Sequence, residues 1–135
     1  MDKAKQDLHT RYQQMVKEAT PKPNYWKNTA WAFLTGGVIC TIGQLAYNLF
    51  ARIEPTQLET TAATLAAMIA LGALATGLGV YDWLAEHAGM GAAVPITGFS
   101  NTVTAAAMDF KQEGYILGMG SKMFTIAGPV LVYGI

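Results

Sequence analysis

A single cysteine, Cys40, in 135 residues excludes an intrachain disulfide framework and a thiol-rich zinc site. Lying within an apolar run, it reads as a small packing residue. Histidine is nearly as scarce. His9 and His87 are far apart in sequence, and neither is paired with a serine or cysteine in a recognisable nucleophilic arrangement. Asp82, Glu86 and His87 cluster beside Tyr81 and Trp83, but two acids and one histidine at a turn fall short of a convergent metal-ligand set. The Gly-Met-Gly runs are not followed by the Gly-Lys-Ser/Thr of a phosphate-cradling loop. No carboxylate pair stands out as an acid-base couple. The chain is therefore expected to be no enzyme and to carry no cofactor or metal. Nor does its basic arm have the density or aromatic interleaving of a nucleic-acid binder.

Charge is scarce too, at 13% of residues, and it is unevenly placed. Six of the nine basic residues (Lys3, Lys5, Arg11, Lys17, Lys22, Lys27) precede Thr29 with only three acids, which gives that arm +3. The rest of the chain holds three bases and six acids, so the zero net charge is a cancellation. Beyond Thr29 the charges sit in short clusters between long apolar runs. A water-soluble helical domain needs a polar face on its surface helices and would not show this pattern. The expected fold is an all-α integral membrane protein: an arm over 1–28, then a polytopic domain over 29–135 with about four apolar helical segments near 29–50, 60–81, 88–108 and 115–135.

In the arm, Ala4, Leu8, Tyr12, Met15 and Ala19 recur at helical spacing among polar residues, which predicts an amphipathic helix ended by Pro21 and Pro23. Its basic excess suits an anionic leaflet surface, an acidic partner or simple solvation. The positive-inside rule puts it in the cytoplasm. The first apolar run lies behind this charged arm and lacks a small-residue cleavage site, so no cleaved signal peptide is expected. At the other end the apolar run stops at Ile135 without a polar flank, and the natural sequence is expected to continue.

Thr29–Phe50 and Thr60–Tyr81 contain no Asp, Glu, Lys, Arg or His. Each is long enough to cross the hydrocarbon core. In the first, Gln44 and Asn48 share a face, suited to an interhelical bond or to a pore. Between the two runs, Pro55 stops continuation and Thr56-Gln57-Leu58-Glu59 matches a capping box. In the second, Ala66 with Ala70, Ala73 with Gly77, and Ala75 with Gly79 have the four-residue spacing of a close helix contact.

The third region, 88–108, differs. Gly89-Met90-Gly91-Ala92-Ala93-Val94-Pro95-Ile96-Thr97-Gly98-Phe99-Ser100-Asn101 is apolar, yet its proline and glycines make it a poor continuous helix. Either a broken span or a re-entrant segment fits. Lipid cannot satisfy the freed backbone groups, so the stretch is expected among other helices or beside a polar cavity. A kinked packing helix and a permeation element both answer that description. In the last run Lys122 is the anomaly: snorkelling, paired or facing a wet pathway. Gly118, Gly120, Gly128 and Pro129 allow an interruption there as well.

Ala32 to Gln44, the Val-Pro-Ile-Thr-Gly-Phe-Ser-Asn core of residues 94–101, Glu113-Gly114 and Ile126-Ala127-Gly128 resemble the SpoVA family of endospore-forming bacteria. The Pro21-Lys22-Pro23-Asn24-Tyr25 arm separates the chain from that family's shorter AE-type subunit. Met90 is bulkier than the resemblance leads one to expect. The resemblance implies a membrane component of the complex that moves dipicolinic acid, with calcium, across the spore inner membrane, inward in sporulation and outward in germination. It also implies channel-like, tension-responsive behaviour. The implied partners are an AE-type membrane subunit and a soluble, dipicolinate-binding AD-type subunit, in a hetero-oligomer, with a homo-oligomer also open. On that basis Pro95, Thr97, Gly98 and Asn101, with Gln44 and Lys122, are the candidate dicarboxylate pathway. The competing expectations are a scaffold that recruits the true conduit and a stand-alone mechanosensitive channel.

Overall fold

The computed structural model describes residues 3–20, 24–54 and 56–134, and every regular element among them is helical. The expected stops at Pro21, Pro23 and Pro55, and the end at Ile135, lie outside the described residues. Helix α1 (Lys3–Ala19) is the amphipathic arm. Its Leu8, Tyr12 and Met15 remain exposed, which leaves an apolar stripe beside the arm's lysines.

Helix α2 (Tyr25–Phe50) begins four residues before the first apolar run, because Asn24 caps it by accepting from the Lys27 amide at 3.3 Å. Helix α3 (Gln57–Gly77) opens on the expected capping box. The Thr56 hydroxyl oxygen accepts from the Glu59 amide at 3.3 Å and its proton goes to the Glu59 carboxylate at 2.7 Å. Thr56→Ala removes both bonds. It is expected to lower stability by about 1 kcal/mol, read as an earlier midpoint when helicity is followed through a denaturing-detergent titration.

The second run does not continue to Tyr81 as a single helix. It stops at Gly77, because Leu78 is followed by Gly79 at φ 72, a left-handed conformation open to glycine, and the chain turns into α4 (Val80–Ala88). A second positive φ, 52 at Gly89, separates α4 from the single turn α5 (Met90–Ala93). Val94 and Pro95 then break the path before α6 (Ile96–Asp109). Region 88–108 is thus interrupted at its proline. At 14 residues α6 rises only about 21 Å, short of the roughly 30 Å hydrocarbon core.

A 3₁₀ turn (Lys111–Glu113) leads to a π-helical segment (Tyr115–Gly120) that runs directly into α7 (Ser121–Gly134), which contains Pro129. Among the described residues three helices are long and apolar enough to cross a membrane, Tyr25–Phe50, Gln57–Gly77 and Tyr115–Gly134, while the remaining apolar segment, 88–108, is the interrupted one. They are poorly buried within the chain. Phe33, Leu34, Leu74, Leu117 and Val132 all face outward, as lipid-facing side chains do.

The packed centre is formed by the broken connection instead. Tyr81, Ala88 and Ala92 form the buried cluster, with Ala75, Leu84 and Ala85 around it. α2 packs on α5, α3 and α4, while α3 packs most extensively on α6, which also packs on α7.

Candidate functional site

The small-residue contact face of α3 is met only in part. Ala66, Ala70, Gly77 and Gly79 are exposed, Ala73 and Ala75 are half-buried with Ala75 against the Tyr81 cluster, and the buried line is Thr60, Met68, Gly72 and Thr76. Gly72 lets α6 approach to backbone contact: a Cβ there would lie 2.9 Å from the Thr97 carbonyl oxygen and 3.1 Å from the Thr97 Cα.

Three polar links stitch α3 and α4 to the broken segment around that crossing. The Ser100 hydroxyl donates to the Ile69 carbonyl at 2.7 Å. The Thr76 hydroxyl, 2.7 Å from the Gly72 carbonyl, also meets the Asn101 amide oxygen at 2.8 Å. Tyr81 holds the third link, with its phenolic oxygen 2.8 Å from both the Ala92 carbonyl and the Thr97 hydroxyl. Only the phenol can donate to a carbonyl, so Tyr81 donates to Ala92 and accepts from Thr97. Thr97 and Ser100 are buried and Asn101 is half-buried. Among the described residues no buried side-chain donor or acceptor lacks a partner.

The polar side of the third region therefore faces protein. Gly98 belongs to the same construction, since the Ala92 and Ala93 carbonyls fold over it and leave no room for a Cβ. Pro95 starts α6 in extended conformation, φ −61 and ψ 159. Its lack of an N–H interrupts the helical ladder there. On the far side of α5, Gly91 rests on the Ala32 backbone, and a Cβ on Gly36 would lie 3.4 Å from the Gly91 carbonyl oxygen. Met90 points away, 68% exposed, so its bulk does not enter the contact.

Pro95, Thr97, Gly98 and Asn101 are brought together, whereas Gln44 and Lys122 lie apart from them. Gln44 is exposed on α2 and bonds Asn48 at 2.9 Å. Lys122, half-buried, places its ammonium 4.4 Å from the centroid of the Phe110 ring, at the C-terminal cap of α6. This cation-π contact draws the charge towards the polar turn at residues 109–113.

Two openings flank the knot. One, of about 140 Å³, lies between Ile39, Met68, Leu71, Tyr81, Leu84 and Thr97 and is apolar apart from the two hydroxyls. The other, of about 370 Å³, opens at the start of α2 and mixes polar groups of Asn28, Thr29, Glu86 and His87 with a larger apolar surface that includes Ala32, Ala88 and Met90. There His87 bonds the Trp83 carbonyl at 2.9 Å and meets Trp31 edge-on at 6.3 Å between ring centroids, tying α4 to α2. Residue pattern alone missed Tyr81, Thr76 and Gly72. Tyr81 reads as a boundary aromatic, although its place beside Asp82 and after Gly79 marks a turn.

Residues 28–135 match the family described as SpoVAC/SpoVAEB sporulation membrane protein. The chain is 44% identical over 133 residues to stage V sporulation protein AC of Bacillus subtilis (strain 168), an alignment covering 96% of this chain and 87% of that one. No solved structure matches. Both the α2–α5 crossing at Gly91 and the α3–α6 crossing at Gly72 fall inside the matched span. The chain belongs to the SpoVAC/SpoVAEB family of sporulation membrane proteins.

Proposed function

We propose that the chain is a membrane subunit of the complex that carries dipicolinic acid, with calcium, across the spore inner membrane, inward during sporulation and outward during germination. In this reading the N-terminal arm is cytoplasmic, and AE-type and AD-type subunits are partners. The observation that carries it is the interrupted region from Gly79 to Asp109 between candidate spans, inside a sporulation membrane family. Broken backbone at membrane depth is the device by which helical membrane proteins present polar groups to a solute. The name of the relative, tied to stage V of sporulation, supports the same setting.

Within this function two roles compete. As part of a conduit, the chain offers the Asn101 amide and the α6 start to a dicarboxylate, with Gln44 and Lys122 further along. As a scaffold, it uses the same knot to hold its own shape while the path runs elsewhere. The internal pairing of Thr97, Ser100 and Asn101 and the apolar groove beside Thr97 favour the scaffold.

Asn101→Asp separates the two roles. The aspartate keeps an acceptor for the Thr76 hydroxyl and adds a negative charge. In a conduit it is expected to slow dipicolinate uptake and release by about tenfold, the effect of ~1.4 kcal/mol of added repulsion. A scaffold leaves both rates unchanged at equal protein level. Lys122→Gln is the companion test, and if neither substitution alters transport in assembled complexes, the pathway assignment fails.

A further inference from the structure

α2 has two opposite faces. One, through Ala32, Thr35, Gly36, Ile39 and Gly43, meets the rest of the chain. The other carries Gly37, Thr41, Gln44, Asn48 and, just past the helix, Arg52, all of them exposed. Their spacings of four, three, four and four residues form a single stripe, the pattern of a helix-pairing seam. Within it the Thr41 hydroxyl donates back to the Gly37 carbonyl at 2.8 Å, and Gln44 donates one N–H to the Asn48 carbonyl oxygen at 2.9 Å. Among the described residues nothing else bonds these two amides, so the Gln44 carbonyl, its second N–H and both Asn48 N–H groups face outward.

Gln44 lies about two turns inside the Ala51 end of α2, roughly 10 Å along the axis. At that depth hydrocarbon offers neither donor nor acceptor, and bare amides are costly. A second helix laid over the stripe would satisfy them.

We propose that this seam is the contact between two copies of the chain, related by a twofold axis along the membrane normal. Copies inserted in the same sense place their Gln44 and Asn48 at the same depth. A carboxamide both donates and accepts, so it is complementary to its own image. The absence of acids and bases from Thr29 to Phe50 sets no like charges against each other within the span. Gly37, with nothing within 4 Å of a Cβ position, leaves room for close approach. Near the Arg52 end, a groove of about 260 Å³ lined by Leu45, Asn48, Leu49 and Arg52 is open to side chains of the facing helix. Arg52 lies past the end of α2 in the polar turn with Glu54, so its charge is not held in hydrocarbon. Cys40, exposed at the flank of this face, is a surface residue rather than a packing residue.

The test uses the whole chain, purified alone into liposomes. In a Cys40→Ser background, single cysteines replace Gly37 or Thr41 on the seam and Val38 or Ile42 one residue off it. Mild oxidation is expected to yield disulfide-linked dimers several-fold more efficiently at 37 and 41 than at 38 and 42. Adding Gln44→Leu with Asn48→Leu is expected to lower that yield about tenfold, because the interhelical amide bonds are lost. Helical content should stay the same, since leucine suits a lipid-facing helix. Equal cross-linking on both faces, or a yield indifferent to the leucine pair, overturns the proposal. Cross-links that form only when a different membrane subunit is present assign the seam to that subunit and overturn it too.

Discussion

Gly72→Leu is expected to separate α6 from α3 and to cost about 3 kcal/mol, the upper part of the overpacking range. The reason is what a side chain at 72 would meet. Thr97 contributes its carbonyl oxygen and Cα at 2.9 and 3.1 Å, and Ser100 its Cβ at 3.0 Å, so two of the three nearest atoms are backbone and cannot rotate aside. Relief requires moving the whole first half of α6. That movement also strands the Ser100 to Ile69 and Thr76 to Asn101 bonds, which need the close crossing. Gly72→Ala is the graded case and should cost less. Gly77→Leu is the control: nothing lies within 4 Å of a Cβ there, and the residue is exposed at the end of α3. Unfolding in mixed micelles with rising denaturing detergent measures all three. Equal midpoints for Gly72→Leu and Gly77→Leu would mean that α3 and α6 do not cross at Gly72.

Gly72 also shows where sequence reasoning stopped. Long apolar runs identify a membrane helix because burial in lipid is a bulk property of about twenty residues, and α2 and α3 were legible for that reason. The capping box at Thr56 was legible because it is local chemistry over four positions. Which face of α3 meets another helix is neither. Alanines and glycines lie all round it, so several small-residue lines have the same spacing, and only the partner's position selects Gly72 over Ala66 or Gly77. The break at Pro95 was likewise plain, since proline has no amide to donate. That Thr97, Ser100 and Asn101 turn their polar groups into the protein depended on the Ile69 carbonyl as acceptor, the Thr76 hydroxyl as donor and the Tyr81 phenol, some 15 to 30 residues away. Lys122 gave half its answer: a lysine in an apolar run must find shelter, but a ring at Phe110 is not visible from spacing alone.

Tyr81→Phe should be the most damaging conservative change in the chain, at roughly 2–3 kcal/mol, because it removes one oxygen and leaves two groups short of their bonds. Pro95 has already taken an amide out of the turn that follows Ala92, and the Ala92 carbonyl, on a residue with no exposed surface, takes a proton from the phenol instead. Thr97 gives its own proton to the same oxygen. A lone phenol thus bridges the end of α5 to the start of α6 across the break, while its ring fills the centre of the buried cluster. Phenylalanine keeps the ring and loses the bridge. Thr97→Val leaves the Tyr81 to Ala92 bond in place, so its cost should be smaller. The double variant should cost less than the two single changes added together, because the Tyr81–Thr97 bond is lost only once. Strict additivity in that cycle would show that the two hydroxyls do not interact. If the knot also sets the shape that a transport complex needs, spores carrying Tyr81→Phe should accumulate less dipicolinic acid than spores carrying Thr97→Val at matched protein level. Equal accumulation would confine the bridge to stability and separate the fold of this region from its work.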